Sequence, residues 1–281
     1  MSTNLITLPD LSSDYALSEE NIIAYRANGH TLLGGLCSSE EIAAYRGVLN
    51  QAAYTHNLQT KPIEERDTYG KAFLQVMNLW VKDEAVRRYV MARRFAKVAA
   101  ELMGVEGVRL YHDQALYKEA GGGLTPWHQD QFYWPLDTQN TITMWMPLVD
   151  VPIETGALTF ASGSHGEGFL GHLAISDESQ ETWDRLVQER GYAVTNAPMR
   201  AGDATFHSGW TLHTAPANSG TTTREVMTVI YFPDGTFVLE PDNQNRWLDL
   251  ASWLPGLKPG DLAASPLNPL LYSSAPTKQS S

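Results

Sequence analysis

Apolar positions in the first hundred residues recur at helical spacing. Ile22, Ile23 and Tyr25 follow Ser18 and Asn21, which predicts a short helix stopped by Gly29. His30 to Leu36 reads as a strand closed by Gly34 and Gly35. Ser38 and Glu41 carry the S-x-x-E signature of a capping box, and Ile42, Tyr45, Leu49 and Ala52 continue behind it on one helical face. A third helix is expected from Asp83 to Met103, with Val86, Tyr89, Val90 and Val98 inward and Gly104 as its C-cap.

From about residue 108 the texture changes to short strands. VRLYHDQALYK, TITMWMPLVDV, GALTFAS, DATFHSG and EVMTVIYF are rich in Thr, Val and aromatics and alternate in part with period two. GGGLTP and NSGTTT supply turns, and Asp177 to Arg190 reads as an inserted helix. Beyond Trp253 the prolines Pro255, Pro259, Pro266, Pro269 and Pro276 predict a surface coil. Strands without alternating helices favour a sandwich or barrel over a doubly wound sheet. The expected fold is mainly β with flanking α-helices, a jelly roll in one domain spanning 1–281. Helical support covers about 1–105, the core about 106–240, and a coil tail the rest.

Composition narrows the function classes. The 281 residues are 43% hydrophobic and 19% charged, enough apolar material for a sizeable core. A net charge of −12 argues against nucleic acid or an anionic membrane as partner. A lone cysteine, Cys37, gives no disulfide framework. No basic-then-apolar leader and no long apolar run are visible, so the expectation is a cytoplasmic protein, monomer or homodimer, acting on a small molecule.

Chemistry concentrates in two segments. In His128-Gln129-Asp130, positions i and i+2 of an extended chain share a side, so an imidazole and a carboxylate can converge on one ion. His213 lies in GDATFHSGWTLHTAPANSGTTTREV. Two imidazoles and one carboxylate form the facial triad that leaves adjacent positions of Fe(II) open for O₂ and a bidentate co-substrate. Arg224 lies 11 residues after His213. If the two flank a hairpin, its guanidinium enters the same cavity as a clamp for a distal carboxylate, which points to 2-oxoglutarate.

PWHQDQFYWP, MPLVDVPIETGALTFASGSH and GDATFHSGWTLHTAPANSGTTTR together resemble the phytanoyl-CoA dioxygenase family of Fe(II)/2-oxoglutarate oxygenases, over roughly residues 108 to 232. The resemblance implies a double-stranded β-helix (cupin-like) core, with Fe(II) held by His128, Asp130 and His213. It implies that Arg224 binds the C5 carboxylate of 2-oxoglutarate and that Trp145, Gln114 and Gln75 contact the co-substrate. The animal phytanoyl-CoA enzyme has a co-substrate-binding Ser two residues after the distal His; here that position is Ala215. Family halogenases carry a small residue where this chain has Asp130, so the carboxylate favours hydroxylation or a related oxidation.

Other candidates have plainer readings. His207 is expected to be a buried strand histidine, and His112 and Asp113, facing opposite ways, to be structural. His165 should tie down a turn. Gly121, Gly122 and Gly123 lack the following helix and Lys of a phosphate cradle and read as a flexible loop near the site mouth. Residues 169–191 are expected to border the cavity as a lid, with Trp183 in the lid and Trp134 in the pocket wall. The function expected is oxidation of a small metabolite with release of succinate and CO₂. A zinc hydrolase and a non-catalytic jelly-roll binding module are the alternatives. No Lys/Arg cluster near the motifs suits the phosphates of a CoA thioester.

Overall fold

The structure, a computed structural model, describes residues 8–275; the amino-terminal leader reading and Pro276 fall partly or wholly outside them. In chain order the elements are α1 (Glu19–Asn28), β1 (His30–Leu33), α2 (Ser39–His56), α3 (Thr68–Ala72), β2 (Leu74–Met77), α4 (Glu84–Val90) and α5 (Arg93–Met103). They continue with β3 (Gly107–Tyr117), β4 (Thr125–His128), β5 (Ile142–Pro147), β6 (Thr159–Ser162), α6 (Asp177–Arg190) and β7 (Ala193–Asn196). The last are β8 (Ala204–Ser208), β9 (His213–Ala215), β10 (Val226–Pro233), α7 (Gln244–Trp253) and β11 (Leu270–Ser273).

The strands form two sheets. The larger runs β1-β8-β5-β10-β3-β11, with β2 also on β3, and the smaller runs β4-β9-β6-β7. All the pairings are antiparallel, which gives the jelly roll the strand pattern predicts. Period-two alternation sorts the large sheet. Met144, Met146, Phe206, Met227, Val229 and Tyr231 pack into the main hydrophobic core with the N-terminal helices. Their neighbours Thr143, Trp145, His207 and Thr228 line a cavity on the other face. In β3 the register against β10 slips between Leu110 and Asp113, a bulge that changes which parity faces the core. Leu110 is core, whereas His112, Gln114 and Leu116 line the cavity.

Caps fall where the sequence places them. Ser18 caps α1, Gly29 ends it with φ +78°, and Ser38 with Glu41 closes a reciprocal capping box on α2. Three expectations need correction. The helix expected over Asp83–Met103 is two helices, broken at Met91–Ala92, where Ala92 is extended with ψ 120°. The break carries no Gly or Pro, so spacing alone does not reveal it. It lets Arg94, buried at the start of α5, donate to both carboxylate oxygens of Glu41 at 2.7 and 2.9 Å and to Leu36 O at 3.1 Å. The region after residue 240 holds more than coil: α7 starts on an Asn243 cap ahead of the prolines, and β11 pairs with β3 within the otherwise irregular proline-rich stretch. Finally, the chain between His213 and Arg224 is no hairpin, since β9 belongs to the small sheet and β10 to the large one.

Candidate active site

His128 ends β4 and pairs directly with His213 on β9, so strand register sets the two imidazoles side by side with ring centroids 4.1 Å apart. Asp130 opens a short 3-10 turn after β4, so convergence comes from a strand-to-turn bend and not from alternation alone. Its Oδ1 lies 3.6 Å from His128 Nε2 and 3.8 Å from His213 Nε2. One donor atom from each of the three residues lies within 4.8 Å of the others, which suits a single metal ion.

The surroundings prepare these atoms for that role. His128 Nδ1 donates to Pro126 O at 2.7 Å, and His213 Nδ1 donates to Thr211 O at 2.9 Å. A carbonyl only accepts, so each proton sits on Nδ1 and each Nε2 offers its lone pair. Burial holds both imidazoles down to about 4, so they are neutral at pH 7. Burial works against ionising Asp130, but His213, His207 and His128 outweigh it and keep the carboxyl well below the usual carboxylate range. Thr143 Oγ1 at 2.9 Å and His207 Nε2 at 3.2 Å both donate to Asp130 Oδ2. Gln129, between the two motif residues, donates to Gly168 O at 2.8 Å and Trp210 O at 2.7 Å and pins the bend.

Arg224, just before β10, is buried and lines the same cavity. Its Nη1 donates to Gly156 O at 2.7 Å and Nη2 to Leu116 O at 3.3 Å, while Nε has no partner. The guanidinium stands 5.2 Å from the Trp145 ring centroid. No Asp or Glu pairs with it among the described residues, and burial pulls it down to about 9. Gln75 and Gln114 join the wall through a chain: Tyr69 donates to Gln75 at 2.7 Å, and Gln75 donates to Gln114 at 2.6 Å. All seven residues singled out from the sequence therefore line one cavity of about 290 Å³. Ala215 lines it as well.

Several residues sit differently from expectation. His207 is the buried strand histidine predicted, yet it also braces Asp130. His112 is part of the cavity wall, while Asp113 faces away and accepts the backbone N–H groups of Leu79 and Trp80 at 3.1 and 3.3 Å. Nε2 of His165 bonds Arg26 O at 3.2 Å, the turn-tying role expected of it. Of residues 169–191, Ile175 reaches the lining, and Trp134 is in the wall as expected. Trp183 is packed in a cluster with Trp127 and Leu212 where α6 docks on β4. Gly121–Gly123 stand outside the lining, held by Gly121 N–H to Asn218 O at 3.0 Å and Gly123 N–H to Lys71 O at 2.8 Å. The wall from α7, with Leu248, Asp249, Ser252 and Trp253, is absent from the sequence reading because prolines downstream mask the helix.

Known proteins resemble this chain over most of its length. A curated relative from Stutzerimonas stutzeri, a probable alpha-ketoglutarate-dependent hypophosphite dioxygenase, is 22% identical over 221 residues, covering 74% of this chain and 76% of its own. The non-heme alpha-ketoglutarate-dependent carbocyclase SnoK from nogalamycin biosynthesis superposes with a TM-score of 0.74 at 26% identity, covering 91% of this chain and 96% of its own. The epimerase SnoN, solved with Fe³⁺, alpha-ketoglutarate and nogalamycin RO, gives 0.73 at 26% identity, covering 90% and 98%. EctD from S. alaskensis, solved with 2-oxoglutarate and 5-hydroxyectoine, shares the fold with a TM-score of 0.66 at 17% identity, covering 83% of this chain and 84% of its own. The phytanoyl-CoA dioxygenase family model matches residues 25–226, and the chain belongs to that family of iron- and 2-oxoglutarate-dependent dioxygenases.

Proposed function

We propose that this dioxygenase hydroxylates an unactivated C–H bond of a small metabolite, with His128, Asp130 and His213 as the iron ligands and Arg224 as the 2-oxoglutarate clamp. The observation that carries the reading is Arg224: a buried cation with an unpartnered Nε and, among the described residues, no carboxylate paired with it, 5.2 Å from the Trp145 ring centroid. Burying a lone charge is costly, so a guanidinium kept this way is complete when an anion arrives. A zinc hydrolase has no use for such a group, and a binding module has no use for three converging ligand atoms.

The donor set fits iron: two neutral imidazole Nε2 atoms and one carboxylate Oδ1, each held by a hydrogen bond on its far side. When bound, Fe(II) and 2-oxoglutarate supply the oxidation of a substrate C–H by O₂, with decarboxylation to succinate and CO₂. The chain contributes position and dryness. Arg224 fixes the far carboxylate, Trp145 covers the guanidinium, and Gln114 and Gln75 offer amide groups along one side. Leu116, Leu158 and Ala215 keep the wall beside them apolar. The relatives named above include a carbocyclase and an epimerase, so we place the outcome in how the substrate lies against the centre. Asp130, occupying the third ligand position, supports hydroxyl delivery.

The test is 2-oxoglutarate binding and turnover in Arg224→Ala. Iron stoichiometry should stay near wild type while 2-oxoglutarate affinity falls by roughly 30-fold to several thousand-fold, the range for losing one partner of a buried charge pair (about 2–5 kcal/mol). Arg224→Lys should recover part of it, because an ammonium replaces the charge but not the fork. Unchanged 2-oxoglutarate affinity in Arg224→Ala would move the clamp elsewhere.

A further inference from the structure

Three residues lining the cavity carry full charges by type: Asp130, Arg224 and Asp249. Asp130 and Arg224 have proposed roles as iron ligand and co-substrate clamp, and Asp249 has none. Asp249 comes from α7, which lies beyond residues 25–226 matched by the family model. Its Oδ2 accepts the phenol of Tyr111 at 2.9 Å. Tyr111 is fully buried and packed on Trp134, His112 and Phe232, with centroids 5.4, 4.9 and 6.2 Å away, so the carboxyl is held from behind by a rigid ring. No Lys or Arg pairs with Asp249 among the described residues. Leu248, Ser252 and Trp253 of the same helix share the cavity lining with it, and Tyr133, Trp134 and Met77 add aromatic and apolar surface to that cavity.

We propose that Asp249 is a specificity-determining residue that recognises a hydrogen-bond donor, a hydroxyl or an amine, on a substrate with an aromatic or otherwise flat apolar body. The proposal rests on the reading of the site as an iron and 2-oxoglutarate centre, because that reading accounts for Asp130 and Arg224. A flat body fits against the aromatic side chains and displaces water from the carboxyl. Once dry, the carboxyl keeps the Tyr111 bond on Oδ2, and its Oδ1 is left short of a donor unless the substrate brings one. A site built to satisfy a polar group in this way penalises an analogue that lacks it far more than it penalises a missing methylene. Desolvation pushes the Asp249 carboxyl up to about 7, so an amine gains further by favouring the ionised form, and a substrate carboxylate is repelled. The position of α7, outside the family-matched span, suits a residue that distinguishes one member's substrate from another's.

The experiment uses the full chain loaded anaerobically with Fe(II) and 2-oxoglutarate, with calorimetric titration of four probes sharing one ring system. These are 2-naphthylmethylamine, 2-naphthalenemethanol, 2-(methoxymethyl)naphthalene and 2-naphthoate. The amine and the alcohol should bind roughly 10-fold or more tighter than the methyl ether, and the naphthoate weakest of all. Asp249→Leu should level the amine, the alcohol and the ether. Asp249→Asn keeps an acceptor oxygen, so it should retain the alcohol's advantage and lose any extra preference for the amine, which separates a hydroxyl reader from a cation reader. The visible charge-transfer absorption of the Fe(II)–2-oxo acid chelate should be the same in the wild type and both variants. Equal affinities for all four probes, no binding of any probe, or a ranking that survives Asp249→Leu would overturn the proposal. A wild-type protein that fails to form the chelate absorption would overturn the iron and 2-oxoglutarate reading instead, and this inference with it.

Discussion

Thr143 and His207 face each other across β5 and β8, and both reach Oδ2 of Asp130, leaving Oδ1 toward the imidazoles. A carboxylate fixed at one oxygen cannot rotate away from an ion at the other. Thr143→Val keeps the shape and removes one of the two bonds, so iron affinity should fall about 10- to 100-fold without loss of fold. Anaerobic iron titration against a thermal melt separates the two effects. Replacing His128, Asp130 or His213 by Ala should go further and abolish turnover, and full activity in any of them would remove that residue from the ligand set. These residues, with Arg224, stand out in the sequence because residue type, order and flanking residues mark them, and the fold brings all four to one cavity. The part played by His207 is not, since its distance along the chain from His213 says nothing about which strand it will face. Gln129 is hidden for the same reason: its partners, Gly168 and Trp210, are far off in sequence.

Elements that form from local signals come out close to their predicted bounds. The caps of α1 and α2 and the five core strands are cases where propensity, capping and alternation agree. Where a distant contact decides, local pattern misleads. Arg94 bonds Glu41 just past the break in what reads as one helix, and pairing with β3 makes a strand, β11, within the proline-rich tail. Gly29 joins the two regimes. It ends α1 in the left-handed region, and a Cβ there would lie 2.4 Å from His165 Nδ1 and 2.5 Å from Thr211 Oγ1. Its carbonyl accepts from Ser208 N–H at 2.8 Å and from Thr211 Oγ1 at 2.7 Å, just ahead of His213. Gly29→Ala therefore meets both backbone strain and overlap, and should destabilise the protein by about 2–4 kcal/mol, read as a lowered urea midpoint. It should also weaken iron binding, because the segment leading to His213 must shift.

At the scale of the whole molecule, the cost of keeping cations dry shows up as a dependence on pH. Lys118 is fully buried, donating to Gly123 O and, at 3.1 Å, to Thr125 Oγ1; burial, and then Arg224, pulls it down to about 6 from 10.5. Between those values the unfolded chain binds a proton that the folded chain does not, so stability rises with pH, by up to about 1.4 kcal/mol per unit. Asp113 and Asp249, raised by burial to about 7, act in the opposite sense at lower pH, and the Cys37 thiol, raised to about 12, does so at higher pH. The Lys118 contribution therefore stands clearest between pH 7 and 8.5. Urea unfolding across that window should show a rise that Lys118→Met flattens; a rise that persists would place its source in another group.

The position of α7 late in the chain has a consequence for biosynthesis. Domains gain structure as the chain leaves the ribosome, N-terminal parts first. The proposed ligands and clamp are all present by residue 224 and the large sheet gains β10 by residue 233, whereas α7 ends at residue 253 and β11 at 273. A nascent or prematurely ended chain can thus carry every group needed to capture iron while still lacking the side of the cavity that would surround a substrate. Such a chain would expose a redox-active metal to solvent, so α7, in closing one side of the cavity, would shield the proposed centre as well as border its substrate.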